Sequence, residues 1–589
     1  MLPCDFHPAA EDVADFISRY SSRSPEALFE LAKGRCVNFV SREYAVIHAP
    51  LEDSLPLSLG QHPYSSIPKL YGLLDTTALE ASGIRPAAGQ PFIQVSGQGV
   101  IIGFIDTGID YTNPLFRNRD GSSRILAIWD QTIQGEEPPA AVAGFQPFSG
   151  TVYEKDALDL ALASEQPLQL VPSRDENGHG TFLAGIAAGK AVSQPAEFSG
   201  AAPEAALAVV KLKPAKQYLR DFFLIPEAAH AYQENDIMAA VSWLLGIANR
   251  YAMPLVICLG LGTSQGSHDG TSPLSSMLRS LTGTPGLSVV TGAGNEAGLH
   301  HHYLGTVQAD QEFADVELRI GQNEPGFCLE LWAREPELYT AGFVSPSGEM
   351  IERVPLVLGR ETSIPFRFDD TVISLSYDPY EAGSGSQLIF MRFLRPSAGI
   401  WHIRVYPNLP TTRQFHMWLP MSGFVSESTI FLRPDPDTTI TDPGNSAMPI
   451  TVSTYNHVTN SLYIHSSRGF TRTDQIKPDL AAPGVEVQGP GLPPLASSLE
   501  AADGAIYEPA PTVLTRRTGS SVAAALTAGA VAGIFSWDLA DGNPSALTST
   551  AVKSLLIRGA DRRPEFPYPN RQWGYGNLNL YQSLLLTRE

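Results

Sequence analysis

The chain has 589 residues, with 40 lysines and arginines against 61 aspartates and glutamates, a formal charge of −21 at pH 7. At 43% hydrophobic and 17% charged it has a globular composition and ample length for a large core, which excludes global disorder. The acidic balance and the lack of a basic run exclude nucleic acid and anionic membrane as main partners.

The first residues, MLPCDFHPAAEDVADF, carry neither a basic n-region nor an apolar h-region, so no signal peptide is read and synthesis in the cytoplasm is expected. Four cysteines (Cys4, Cys36, Cys258, Cys328), none spaced as CxxC, make neither a disulfide framework nor a zinc knuckle. A helical pattern at Glu26–Lys33 and a strand-like EYAVIHAP precede a polar, broken stretch, SLGQHPYSSIPKLYG, read as a linker.

From Gly99 the character changes. GVIIGFIDTGID is a near-continuous apolar run, the signature of a parallel strand buried on both faces. AALAVVKL, PLVICLGLG and GLSVVTGAG repeat it, with helical stretches such as IMAAVSWLLGIANRY between them, so a parallel α/β sheet is predicted. QTIQGEEPPAAVAGFQPFSG reads as a surface excursion. His300, His301 and His302 read as a solvated loop, since three consecutive histidines cannot all face one ion.

Residues 303–432 differ. ADVELRI, FCLELWA, ISLSYD, QLIFMRFL, IWHIRVY and QFHMWLP are short alternating strands split by turn residues, an all-β sandwich signature. α/β character returns with PITVSTYNH, so the β-unit is inserted into the α/β domain. PGLPPLASSLEAADGAIYEPAPT (490–512) reads as either a lid or an excursion. The apolar run Val522–Phe535, 14 residues, is too short to span a bilayer and reads as a buried helix.

Three segments together carry chemistry: Asp106 ends the strand in IDTGID, His179 opens an Ala/Gly-rich helix in NGHGTFLAG, and Ser521 opens another in GSSVAAALTAG. A serine hydroxyl is a weak nucleophile. An imidazole must take its proton, and a buried carboxylate must orient the imidazole and stabilise its cation. Singly, each residue has a plain structural reading, as loop cap or N-cap. Ser520 is the neighbouring candidate nucleophile.

In this order these motifs resemble the subtilisin-like serine proteases, the subtilases, whose Asp…His…Ser order is a known signature. The resemblance implies Asp106, His179 and Ser521 as the catalytic triad and places Ser520 at the family's Thr position. VVTGAGNEAG resembles the segment carrying the oxyanion-hole Asn, here Asn295, which would act with the Ser521 backbone N–H. VICLGLGTSQG resembles the strand that pairs with substrate backbone, here Gly260, Leu261 and Gly262. KPDLAAPG (Lys477–Gly484) and WGYGNLNLYQSLL match further stretches. Against the family pattern, Val522 stands for the usual Met after the nucleophile, Ala525 and Leu526 for Pro-His, and Gly260 for a common Ser.

Asp106 and His179 are 73 residues apart and Asn295 and Ser521 are 226 apart, the second gap filled mostly by the β-unit. A β-sandwich inserted there resembles the Csp germination proteases of Clostridia. This likeness implies a subtilisin-like parallel sheet between helices, a jelly-roll-like insert and a small N-terminal α/β prodomain. The boundaries are 1–64 prodomain, 65–302 and 433–589 catalytic domain, and 303–432 insert. It implies self-cleavage, with the processing region at Gln61, His62, Pro63, Tyr64, Ser65 and Ser66, and a prodomain that stays bound without a covalent link. It also implies limited proteolysis of a protein substrate such as a cortex-hydrolase zymogen, a spore-associated location and a regulatory pseudoprotease partner. The alternative is a silent Csp-like pseudoprotease acting as a binding protein. No cofactor is implied. Subtilases often bind calcium, but no ligands can be assigned here.

Overall fold

The structure is a computed structural model, and it describes residues 7–20, 36–73, 82, 84, 87, 95–135, 138–192, 198–493, 513–540, 542 and 547–587. The helical pattern at Glu26–Lys33 and most of the 490–512 segment lie outside these residues.

The N-terminal unit is a three-stranded antiparallel sheet of β1 (Val13–Arg19), β2 (Cys36–Phe39) and β3 (Tyr44–Pro50), with β3 in the middle. One face buries Ile17 and Val46 against the α/β unit, while Phe16, on the opposite face, packs in a second cluster with Leu57 and Tyr64. At the centre of that contact Asp15 lies 2.9 Å from Lys216 Nζ and 2.6 Å from His48 Nδ1. Burial alone would raise the Asp15 carboxyl; Lys216 and His48 reverse this and hold it well below the usual range. The chain then runs through 51–69 to β4 (Leu70–Leu73). This stretch is no polar linker: Leu57, Tyr64, Ile67, Leu70 and Tyr71 are all buried. Their spacing follows no strand or helix period, because the partners are scattered over both other units.

The α/β unit is built on β5 (Ile101–Asp106), β6 (Ile125–Asp130), β7 (Thr151–Glu154), β8 (Ala206–Lys211), β9 (Tyr232–Gln233), β10 (Leu255–Leu259), β11 (Leu261–Gly262), β12 (Leu287–Gly292), β13 (Ile450–Asn456), β14 (Ser461–Leu462) and β15 (Leu480–Pro483). Among the described residues the central sheet runs β14-β13-β12-β10-β5-β8-β6-β7, with β15 beside β13. It is parallel except for the edge pairs β6–β7 and β13–β14. Alternation sends Ile102 and Phe104 of β5 into one core and Ile101 and Ile105 into the other. Helices cover both faces, as buried parallel sheets require: α1 (His179–Ala188) and the later Ser520–Ala540 helix on one, α2 (Gln217–Phe223) and α3 (Glu234–Tyr251) toward the other and the N-terminal unit. The fold is α/β, with a mostly parallel sheet between helices, as the sequence predicts.

The excursion after β6 is not superficial throughout, because Val142, Phe145 and Phe148 are buried in the core around Trp129. Cys258 and Cys328 are free and buried; burial pushes both thiols up, Cys328 to about 12. Cys36 is disulfide-bonded.

The inserted unit packs two antiparallel sheets face to face. One runs His302–Thr306, Gln414–Trp418, Gly326–Ala333, Gln387–Leu394, Val372–Asp378, Thr362–Pro365, and the other Met350–Ile351, Leu338–Val344, Gly399–Leu409, Ala314–Ile320, Ile430–Phe431. Their inner faces share one core around Phe343, Phe393 and Trp401. The outer face of the first sheet, with Trp332, Phe390 and Trp418, packs on residues 57–70 and α2. His301 and His302 are buried at this junction, correcting the solvated-loop expectation. His302 opens a strand, and its Nε2 lies 2.9 Å from His416 Nδ1.

The helix α4 (Ser520–Ala540) has 21 residues, longer than its apolar run suggests. Among the described residues it is one helix long and apolar enough to cross a membrane, and it is almost entirely buried inside the protein.

Candidate active site

The candidate site lies at the C-terminal ends of the central parallel strands, where helices begin. Asp106 is the last residue of β5, His179 the first of α1, and Ser521 lies in the first turn of α4. His179 Nδ1 is 2.7 Å from Asp106 Oδ1 and His179 Nε2 is 3.1 Å from Ser521 Oγ. With Nδ1–H donating to the carboxylate, Nε2 accepts from the serine hydroxyl. All three side chains are 1% exposed or less, so the pairs interact with little competition from water. This arrangement can pass the serine proton to the imidazole as the oxygen attacks a carbonyl.

Asp175 holds the arrangement together, and no sequence motif singled it out. Its Oδ1 accepts from the N–H groups of Asn177 and Gly178 and from Thr107 Oγ1, at 3.0, 2.8 and 2.9 Å. Its Oδ2 accepts from Thr181 N and Oγ1 at 2.9 and 2.8 Å. Thr107 follows Asp106 and in turn accepts from Gly180 N at 3.0 Å. One buried carboxylate thus caps the first turn of α1 and ties it to the end of β5. The signal in the sequence is an acidic residue shortly before a helix start.

Asn295 lies in the loop after β12, and its Oδ1 accepts from Ser520 N at 3.1 Å. That bond fixes the amide and leaves Nδ2 as a donor. Ser520 Oγ accepts from Gly294 N at 3.1 Å, so Ser520 braces the Asn295 loop while Ser521 faces His179. Backbone N–H groups in the first turn of α4 have no partner within the helix, and the helix N-terminus favours negative charge. A developing oxyanion beside Ser521 therefore meets two kinds of donor.

Gly260 stands just before β11. A Cβ built there would lie 2.5 Å from Leu183 Cδ1, 2.9 Å from Asp106 Oδ2 and 3.1 Å from His179 Cε1. Leu261 and Gly262 form β11, and β11 is already paired: Leu261 opposes Leu73 and Gly262 opposes Gly72, antiparallel. On its other side β4 pairs with β9, Leu70 opposite Gln233 and Tyr71 opposite Tyr232. The chain thus lays its own strand between β9 and β11, ending one register step from Gly260 and the triad.

The six residues expected as the processing region lie elsewhere. Gln61 N–H and His62 N–H close a turn on Ser58 O, the His62 ring stacks on Phe16 at 4.3 Å, and Pro63 leads into a single helical turn, Tyr64–Ser66. Tyr64 is buried against Trp332 and Phe390 of the insert. Ser65 and Ser66 are held in that turn, and none of the six pairs with β11. Motif matching missed β4, because strand pairing between distant segments leaves no local period.

Among the described residues no group of three or more His, Cys, Asp or Glu is placed to hold a metal ion.

The subtilase family model matches residues 97–316 and 432–576, the two halves of the α/β unit, the first match running on into the start of the insert. The fold is similar to the structure of the Clostridium perfringens CspB protease, with 28% identity and a TM-score of 0.71, covering 86% of this chain and 97% of that one. Two Arabidopsis thaliana proteins are similar over shorter stretches. Subtilisin-like protease SBT3.12 is 26% identical over 217 residues, 34% of this chain and 29% of the plant protein. Subtilisin-like protease SBT2.2 is 31% identical over 134 residues, 20% of this chain and 15% of the plant protein. The chain thus spans less than a third of the length of the plant relatives it matches. The family match covers more than half of the chain and falls on the elements that carry Asp106, His179, Asn295 and Ser521, and the chain belongs to the subtilase family of serine proteases.

Proposed function

We propose that the protein is an active serine endopeptidase that cuts its own chain just after β4 and acts on a protein substrate by limited proteolysis. The observation that carries this reading is the seating of β4 between β9 and β11, with Gly72 and Leu73 paired to β11 beside Gly260, His179 and Ser521. Asp106 orients His179, His179 serves as base and then acid, Ser521 attacks, and Asn295 Nδ2 with the Ser521 N–H receives the oxyanion. β4 is held like a bound substrate, so processing is assigned to the bonds directly after Leu73 in place of Gln61–Ser66. The N-terminal unit then stays bound through the Asp15 cluster and the buried 57–71 stretch. The likeness to Csp proteases supports a zymogen in spores as the target, controlled by a related pseudoprotease, with cytoplasmic synthesis and no cofactor.

Intact mass and N-terminal sequencing of wild type beside Ser521→Ala test the reading. Wild type alone should split after Leu73, with both pieces co-purifying, and Ser521 should label with a fluorophosphonate probe. An unsplit wild type that does not label favours the second reading, a silent pseudoprotease acting as a binding protein. The observation on that side is the cleft itself, filled by β4 and leaving Ser521 without exposed surface.

A further inference from the structure

The strand that fills the cleft also displays what the cleft recognises. Tyr71 of β4 is 1% exposed and packs in the catalytic core with Leu261 and Leu274. Its hydroxyl donates to Asp442 Oδ2 at 2.6 Å. Asp442 is itself buried, and its other donors are the hydroxyls of Ser272, 2.8 Å from Oδ2, and Ser275, 2.6 Å from Oδ1. Two serines and one phenol therefore supply the side-chain hydrogen bonds this carboxylate receives among the described residues. The next residue, Gly72, faces the insert: a Cβ there would lie 3.1 Å from both Sδ and Cε of Met421 and 3.7 Å from Phe424 Cε1. Leu73, which follows, sits opposite Leu261, one step from Gly260.

We infer that the cleft selects protein substrates carrying Tyr-Gly a few residues before the cut bond, with Asp442 reading the tyrosine hydroxyl and Met421 of the insert excluding larger residues after it. The inference rests on the reading of the chain as a self-cleaving protease. The physical reason is the cost of the alternative. A site built to bond a hydroxyl rejects the analogue that lacks it far more strongly than an apolar pocket rejects a lost methylene, because the buried polar group is left short of a donor. A phenylalanine fills the same volume and leaves Asp442 one hydrogen bond short. The insert, at first sight remote from the chemistry, forms the lid of the position after the tyrosine.

The test uses the full chain and its own processing rate. Tyr71→Phe should slow the split at least tenfold in protein that still melts cooperatively, and Asp442→Asn, which keeps the shape, should shrink the Tyr-to-Phe ratio at least threefold. Gly72→Leu should slow processing more than Gly72→Ala, and Met421→Ala should narrow that gap. Equal rates for wild type and Tyr71→Phe, in protein that labels at Ser521, overturn the inference and leave the protease reading intact. A wild type that neither splits nor labels removes both. If Asp442→Asn does not fold, synthetic peptides spanning 66–74, with Tyr or Phe at position 71, are competed against fluorophosphonate labelling of wild type. Protection at least tenfold weaker by the Phe peptide is expected, and equal or absent protection by both overturns the inference.

Discussion

Tyr64, on the stretch that leaves the N-terminal unit, donates its hydroxyl to Glu330 of the insert at 2.5 Å, a contact between residues 266 apart in the chain. Glu330 also accepts from Gly266 N–H and Trp332 Nε1–H, each at 2.9 Å. Burial raises the Glu330 carboxyl, with these hydrogen bonds acting against it, and burial beside Glu330 raises the Tyr64 phenol well above its ordinary value. Three units meet at one carboxylate. Lys69 adds to the latch, donating to Tyr64 O at 2.8 Å and lying over the Tyr64 ring.

Removing that hydroxyl should loosen the N-terminal unit without touching the triad. Tyr64→Phe leaves a buried carboxylate one donor short, a cost of about 1–3 kcal/mol. In the split protein the smaller fragment should dissociate at lower urea than in wild type, while Ser521 labelling stays the same or rises. Gel filtration across a urea series reads the first and probe fluorescence the second.

Asp175 is a positioning residue, and its effect should fall on turnover. Asp175→Asn keeps the volume but turns acceptors toward donors at the start of α1, letting His179 drift from Asp106 and Ser521. A misplacement of about 1 Å costs roughly a hundredfold in rate. kcat should fall about tenfold to a hundredfold while KM changes little, because β9 and β11 are untouched. Steady-state kinetics on a peptide substrate, with a thermal melt as control, separate this from unfolding.

Gly260 is matched to Leu183. The Cβ of Gly260→Ala meets Leu183 Cδ1 first and then the Asp106–His179 pair, so overpacking of about 1–3 kcal/mol is expected at the triad. Activity should fall at least tenfold, and Leu183→Val in the same chain should recover most of it. If the second substitution gives no recovery, Leu183 is not the source of the strain.

The junction between insert and catalytic unit should weaken in acid. Burial pushes His302 down to about 4 and His416 well below its ordinary value, with His302, Arg472 and His268 beside the second ring adding to the effect. In the neutral pair His302 Nδ1 bonds Asp435 O at 3.0 Å and Nε2 bonds His416 Nδ1, and both rings stack on Trp418. Unfolded histidine titrates near 6.5, so the unfolded chain binds the extra proton first. Stability is therefore complete above about pH 6.5 and falls between 6.5 and 4, by about 3 kcal/mol for His302. Melting temperature against pH should show this slope, and His302→Gln should flatten it.

Peroxide should leave the nucleophile environment unaltered. Val522, fully buried behind Ser521, offers no thioether where the subtilases usually carry Met, so the oxidation that adds an oxygen beside the nucleophile has no target there. Residual activity after peroxide, followed by peptide mass mapping, checks this.

The elements that form the candidate site were legible in the residues. Asp106, His179, Asn295 and Ser521 each sit at the junction of an apolar strand or small-residue helix with a Gly-rich turn. Such junctions have a local cause: buried parallel strands must be continuously apolar, and tight turns beside them need glycine. The β-insert was legible for the same reason, as period-two strands broken by turns. Tertiary structure alone decided the occupied cleft. KLYG reads as part of a polar, broken linker, and its strand character exists only because β9 and β11 offer unpaired backbone on both sides. Asp442 and Glu330 were equally silent, since a buried carboxylate is indistinguishable from a surface one until the donors that surround it are brought in from distant parts of the chain. The same holds for His301 and His302, which look like a solvated run and are buried by a strand more than a hundred residues away.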